Sequence, residues 1–348
     1  MPYLPKIEFA NFHLRFGDDL RLLDLFSEVV LPALTTPDFT REYRDTEYWF
    51  QELRLIRAES DPIDTPALVG RIRKRHVMDV HKEDITVEPE QVESTESSLF
   101  LLLLDSHRII YLHETQHAPG LRALRSTIQR AIAQYRNVLV AAIREEVRAE
   151  GISQTLLQLG LDYDEVPQSL RAISQIFPSP ELEIVPLSSD DSLEDFLKKF
   201  KVLQAVRFQF VKTNDEIDNT KLFEEVRHQG EDIGSDATEL VHTSEKGLQK
   251  EKVREKFSEV LNRGTVAARF RGKDEHNHPV AGTPDQYAIR VPAKELAEKR
   301  GLLERAKHVF DTFIEQIKQG SIHLPDVNED RRTKLRNMTR DLKVEEEL

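Results

Sequence analysis

The string His113-Glu114-Thr115-Gln116-His117 is the sharpest candidate for chemistry in this chain. On a helix, HExxH sets two imidazoles one turn apart for zinc and leaves the glutamate as general base. Here it follows an apolar strand pattern, Pro119 marks a helix start just beyond it, and the extended-motif position for a third ligand holds Ala123. We therefore expect a chance match at a strand–loop–helix junction. A second group, His276 and His278 with Asp274 and Glu275, could bind a divalent transition metal through imidazole and carboxylate. Its surroundings read as a solvated loop tip. GxxxxGK[ST], GxGxxG and GxSxG are all missing, which disfavours NTPase, dinucleotide-binding and serine-hydrolase readings. The reading assigns no catalytic residue, no metal and no cofactor.

The basic clusters point elsewhere. Arg71, Arg73, Lys74 and Arg75 lie on a predicted strand, where the three arginines share one face at period two. Arg122, Arg125, Arg130 and Arg136 lie on a long predicted helix. Such rows can meet a phosphate backbone, with an affinity that ignores sequence and falls with salt. The whole chain has 348 residues, 49 Lys and Arg against 62 Asp and Glu, and a formal net charge of −13. Residues 66–148 are close to charge-balanced, so a local nucleic-acid surface can exist within an acidic protein.

These residues must be positioned by a folded chain, and with 39% apolar and 32% charged residues the composition is that of a globular protein. The lack of cysteine excludes disulfides, thiolate metal sites and a cysteine nucleophile, and suits a reducing cytoplasm. The longest apolar run, Leu99–Leu104, is far short of the roughly 20 residues that span a bilayer. No early segment reads as a secretion signal. A cytoplasmic protein without membrane insertion is expected.

Strand and helix patterns alternate along the chain. Ile7 to Phe16 reads as a strand, Leu20 to Leu31 as a helix ended by Pro32, and Tyr43–Ile56 and Leu68–Val80 as strands. Asp61-Pro62 and Thr65-Pro66 read as turns. Residues 98–114 form a predicted hairpin turning at Asp105-Ser106-His107, followed by a long helix over 119–150. Phe177-Pro178-Ser179-Pro180 is the best domain boundary. Beyond it come a long-looped hairpin over 264–292, a long helix over 293–318 and a charged tail over 326–348, either a peripheral helix or a mobile end. The fold class is α+β, mostly antiparallel sheets with packed helices, in two domains: 1–177 and 181–325.

The segments SSLFLLLLDSHRIIYLHETQHAPGLRALRSTI, LEIVPLSSDDSLEDFLKKFKVLQAVRFQFVKTND and GTVAARFRGKDEHNHPVAGTPDQYAIRV, in this order, resemble bacterial phage-exclusion and phage-defence proteins of the RexA type over about residues 95–295. The resemblance implies a DNA-binding sensor or effector acting with a partner protein, and it carries no catalytic signature. The region 1–94 lies outside it.

The expected function is thus a non-enzymatic nucleic-acid-binding component of an anti-phage or exclusion system, with DNA favoured over RNA. Phosphate contacts would come from Arg71, Arg73, Lys74, Arg75, Arg122, Arg125, Arg130 and Arg136, and homo-oligomerisation is compatible with the sequence. The alternatives are a metal-dependent hydrolase, nuclease or peptidase, using one of the histidine groups, and a protein–protein adaptor of a defence assembly.

Overall fold

The computed structural model describes residues 3–78, 92–150, 170–211, 221–235, 237–293, 296, 301–325, 327, 329–341 and 348. The fold is α+β, with two antiparallel sheets. The larger sheet is built on β1 (Lys6–Phe16), β3 (Thr40–Tyr43), β4 (Thr46–Ser60), β5 (Ile63–Met78), β6 (Val92–Leu103), β7 (Arg108–His113) and β13 (Arg290–Pro292), in the order β13-β1-β7-β6-β5-β4-β3. Two further strands, β2 (Leu20–Arg21) and β8 (Pro180–Pro186), pair with β1. No helix among the described residues is long and apolar enough to cross a membrane.

The apolar run of β6 shows why this sheet folds as it does. Side chains alternate across a strand, and here both faces are covered by helices. Phe100 and Leu102 join one core with Phe12, Leu68, Ile109 and helix α2 (Leu121–Glu150), through Leu124, Ile128 and Ile132. Leu99, Leu101 and Leu103 join the opposite core with Phe9, Val69, Ile110 and helix α7 (Leu302–Lys318), through Val309, Phe310 and Phe313. A strand buried on both faces has no polar side left to alternate, so it reads as one continuous apolar segment.

The smaller sheet has the order β10-β9-β11-β12, from β9 (Val202–Phe210), β10 (Thr238–Thr243), β11 (Val266–Lys273) and β12 (Pro279–Gly282). Its Phe208, Ala268 and Phe270 pack on helices α4 (Asp190–Leu197), α5 (Lys221–Asp232) and α6 (Lys250–Arg263) through Phe196, Phe223 and Phe257. The end of α6 fastens the two sheets. Gly264 adopts the left-handed conformation (φ 67°) that closes many helices, and a Cβ there would lie 2.8 Å from both Asn11 and Leu187. The exposed carbonyls of this helix end are taken by the larger sheet. Arg108 donates to the Arg263 carbonyl at 2.7 Å, and His13 Nε2 lies 2.8 Å from that of Gly264.

Several sequence expectations are corrected. Leu20 to Leu31 is not one helix: β2 is followed by a 3₁₀ turn (Leu22–Leu25), a π turn (Phe26–Val30) and α1 (Leu31–Thr35). Pro32 sits in the first turn of α1, where its missing N–H leaves no bond unmade. Thr65-Pro66 lies inside β5, because the turn is made at Asp61-Pro62 and the strand resumes at once. The hairpin of 264–292 is also different. β11 turns back on β12, whereas β13 leaves for β1 of the larger sheet.

The break after residue 177 does not separate the two sheets, since β8 pairs with β1 over Ala10–Phe16 and α7 covers the larger sheet. Helix α3 (Leu170–Ile176) precedes that break. Only 302–318 of the expected helix over 293–318 is seen as α7, and residues 294, 295 and 297–300 lie outside the described ones. The tail holds helix α8 (Glu329–Asp341), docked through buried Leu335 and Met338 and through Arg331, which donates to the Asp105 carbonyl at 3.0 Å.

Candidate nucleic-acid interface

The histidine strings do not build a metal centre. His113 ends β7, and residues 114–117 form a turn rather than a helix, so the two imidazoles of HExxH are not stacked on one helical face. Glu114 is nearly fully buried between two guanidiniums: Arg71 Nε at 3.1 Å and Arg305 at 2.5 Å from its carboxylate. His113 lies 3.4 Å from Glu8, which Arg290 approaches to 2.5 Å. Burial opposes ionisation of Glu8, yet hydrogen bonds from His113 and Arg290 hold its carboxyl below the usual range. At the β11–β12 tip, the Asp274 carboxylate accepts the backbone N–H groups of His276 and His278, both at 2.9 Å, and so makes the turn itself. Among the described residues no group of three or more His, Asp or Glu converges as metal ligands would.

The pleat of β5 divides the first basic cluster. Arg71, Arg73 and Arg75 fall on the face that α7 covers further along, and Lys74 on the face of α2. Arg71 is buried and spent on the Glu114 pair and on Glu52, so the expectation that it contacts phosphate is corrected. Lys74 donates to the His117 carbonyl at 2.9 Å and pairs with Glu96 at 2.7 Å. Arg73 lies opposite Trp49 in register, half-buried, with its Nε unbonded to protein. Arg75 pairs with Glu47 at 2.5 Å and lies over the Trp49 ring, 6.0 Å from its centroid.

The helix arginines belong to the opposite face of the sheet, so the two rows do not merge into one surface. Arg125 donates to the Leu182 carbonyl at 2.6 Å and pairs with Glu183 at 2.7 Å. Arg136 donates to the carbonyls of Phe177 and Ser174. Both fasten the segment around residues 174–183 to α2. Arg122 and Arg130 remain exposed, and Arg122 has an acidic neighbour only at 3.9 Å, Asp285.

Strand register adds residues that the basic-cluster reading passes over. The β3–β4 hairpin pairs Arg41 with Tyr48 and Thr40 with Trp49, opposite the Arg73–Arg75 stretch of β5. Arg41 lies 4.8 Å above the Tyr48 ring and 5.5 Å from that of Tyr43, and Arg44 lies 5.4 Å from the Tyr43 ring. Four of the five cation–ring contacts among the described residues fall at this one end of the sheet. The Arg75–Trp49 pair is on the α7 face, and the three of Arg41 and Arg44 with Tyr43 and Tyr48 are on the α2 face, where Arg41 also donates to Thr127 Oγ1 at 3.2 Å. Comparison of the sequence with protein-family models and with curated proteins returns no match. The signal available in the sequence is the alternation of aromatic and charged residues across Arg41–Trp49, which becomes a cluster only once the hairpin register is fixed.

The chain bends beside this cluster. Gln51 pairs with Arg71 and Arg54 with Val69, so Glu52 and Leu53 together oppose Gly70, a β-bulge. Gly70 makes room for it, since a Cβ there would lie 2.5 Å from Leu53 Cδ2. The bulge, the Thr36–Phe39 loop and Trp49 line a half-open cavity of about 480 Å³. A second cavity, of about 420 Å³, lies between the β1–β8 ribbon and the smaller sheet, lined by His13, Arg15, Arg125, Glu183 and Arg269 among others.

Proposed function

We propose that this protein binds nucleic acid, preferentially single-stranded DNA, without catalysis, through the outer end of its larger sheet. The observation that carries the reading is the pairing of cations with aromatic rings on both faces of one sheet edge. Arg75 lies over Trp49 with Arg73 beside it on the α7 face, and Arg41 and Arg44 lie against Tyr43 and Tyr48 on the α2 face, so that a strand bound to both wraps the edge. Aromatic faces stack on any base, and guanidiniums meet phosphate and stack as well. Glu42, Asp45 and Glu47 lie in the same hairpin and weaken a purely electrostatic grip on a duplex, so stacking carries more of the affinity. The resemblance to RexA-type proteins supports an intracellular anti-phage or exclusion setting, with a partner protein and self-association as further parts of the proposal.

Anisotropy of labelled single- and double-stranded DNA and RNA, at low and physiological salt, tests this reading. Single strands are expected to bind more tightly than duplex. Trp49→Ala should weaken binding by about 1–3 kcal/mol, the worth of one stacked base. Arg73→Ala with Arg75→Ala should weaken it on every sequence alike and flatten the salt dependence. An unchanged affinity in Trp49→Ala removes this end of the sheet from the interface, and cleavage of the strand with magnesium replaces the non-enzymatic reading. Loss of phage exclusion in a plating assay with the double arginine variant would connect the binding to defence.

A further inference from the structure

We propose that the cavity at the β4 bulge receives one unstacked base of the bound strand, and that it selects guanine. This deepens the reading above and rests on it, because the cavity opens beside Trp49 and Arg75 of the same surface. Its volume of about 480 Å³ lies within the roughly 300–1,000 Å³ of small-molecule sites. Phe39, Phe50 and Trp49 line the cavity; the Phe39 and Phe50 rings stack on each other at 14° and pack against the α2-side core, so the ring left to meet a planar heterocycle is that of Trp49.

The backbone is held in an uncommon form at this place. Of the five non-glycine residues with positive φ among those described, Asp38 (59°) and Glu52 (56°) both line the cavity. Asp takes this conformation readily in a turn such as Pro37-Asp38, whereas at Glu52 the bulge imposes it. Glu52 is fixed by Arg71 and Glu47 by Arg75, so those two carboxylates are already neutralised. Asp38 is exposed at the rim of the cavity and has no ion pair among the described residues, so both of its oxygens can accept.

That carboxylate decides the base. Guanine offers two adjacent donors, N1–H and the 2-amino group, to the two oxygens of one carboxylate. Adenine and cytosine each offer one amino group on that edge beside an acceptor nitrogen, which would face a carboxylate oxygen at a loss. Thymine offers one N–H between two carbonyls. A carboxylate therefore discriminates for guanine by pairing and against the others by repulsion.

Trp49 is the chain's only tryptophan, so its fluorescence reports directly on this wall. The experiment titrates the intact protein with the monophosphates of guanosine, adenosine, cytidine and thymidine, and separately measures anisotropy with labelled oligothymidylate and with the same oligonucleotide carrying one guanine. Saturable quenching by the guanosine nucleotide, about tenfold tighter than by the other three, is expected, with inosine monophosphate intermediate because it lacks the 2-amino group. Asp38→Asn keeps a residue that tolerates positive φ and removes one acceptor. It should abolish the preference while leaving the melting temperature and oligothymidylate binding unchanged.

Equal quenching by all four nucleotides, no quenching, or a preference that survives Asp38→Asn overturns the guanine site. If oligothymidylate still binds in those cases, the nucleic-acid reading stands without it. If neither oligonucleotide binds while the guanosine nucleotide quenches selectively, the cavity is supported as a nucleotide site and the strand-binding reading falls.

Discussion

The middle and the outer end of the larger sheet are made of the same antiparallel ladder, yet they are built for different work. At β6 and β7 helices cover both faces, and Leu99 to Leu104 and Ile109 to Leu112 are fully or almost fully buried. No side chain there can reach a ligand. At β3, β4 and the far half of β5 the cover is thinner: α2 still reaches β3, where Arg41 donates to Thr127 Oγ1 at 3.2 Å, but Arg73, Arg75, Trp49 and Tyr43 stand at least partly open. The bulge at Glu52 interrupts the ladder between the two regimes. Layer coverage, rather than strand type, decides where a sheet can be functional, and a bulge at the boundary re-aims the chain without unravelling it.

The largest expected effects lie in the inner region and would break this comparison if they failed to appear. Glu114→Ala leaves the guanidiniums of Arg71 and Arg305 without their buried carboxylate, and should cost about 3–5 kcal/mol in urea unfolding. A loss below about 1 kcal/mol would mean that water reaches these groups and that the covered region ends before Glu114. Leu101→Ala, in the α7-side core, should cost about 2–5 kcal/mol by lost transfer and cavity energy. The two sites together locate the edge of the dry layer.

Much of this architecture is legible in the residues, and the rest fails for a physical reason in each case. The Leu99–Leu112 hairpin and the helix beginning near Pro119 are readable because an apolar run, a turn and a helix-start proline are local signals. The Leu20–Leu31 stretch misleads because an apolar period near 3.6 does not distinguish an α-helix from successive 3₁₀ and π turns. The pairing of β13 with β1, and of β8 with the same strand, joins residues about 284 and about 170 positions apart, beyond any local pattern.

The basic row on β5 is a correct reading of period two and still incomplete. The same alternation that aligns Arg71 with Arg73 also aligns it with Glu114, and burial decides which partner it serves. The aromatic half of the candidate interface depends on the register of a hairpin whose strands show no turn dipeptide such as Asn-Gly to fix it.

A pH titration sharpens the contrast from the inside. His107, in the β6–β7 turn, is buried, and burial together with Arg331, His13 and Arg108 holds its imidazole pKa well below the ordinary 6.5. A depressed folded-state pKa means that the unfolded chain binds the extra proton more readily. Stability therefore falls as the pH drops below about 6.5, and the loss continues toward the lower folded value. His107→Asn keeps a residue suited to the positive φ of 52° and removes the titration. Urea midpoints from pH 7 down to pH 5 should fall less steeply in the variant than in the native protein. Parallel slopes would assign the acid sensitivity to other groups and take the β6–β7 turn out of the buried layer.

The smallest effect on stability is expected where the effect on binding is large. Tyr43 is about half exposed, at the end of β3, with its ring flanked by Arg41 and Arg44. Tyr43→Ala removes no core contact and should change unfolding free energy by no more than about 0.5 kcal/mol. Loss of the stacking face should nevertheless weaken single-strand binding several-fold. The paired measurement of urea unfolding and oligonucleotide anisotropy on this one variant separates structural aromatics from working ones. A stability loss as large as that of Leu101→Ala, with binding unchanged, would mean that the outer hairpin is core in disguise, covered by a layer that the described residues do not supply.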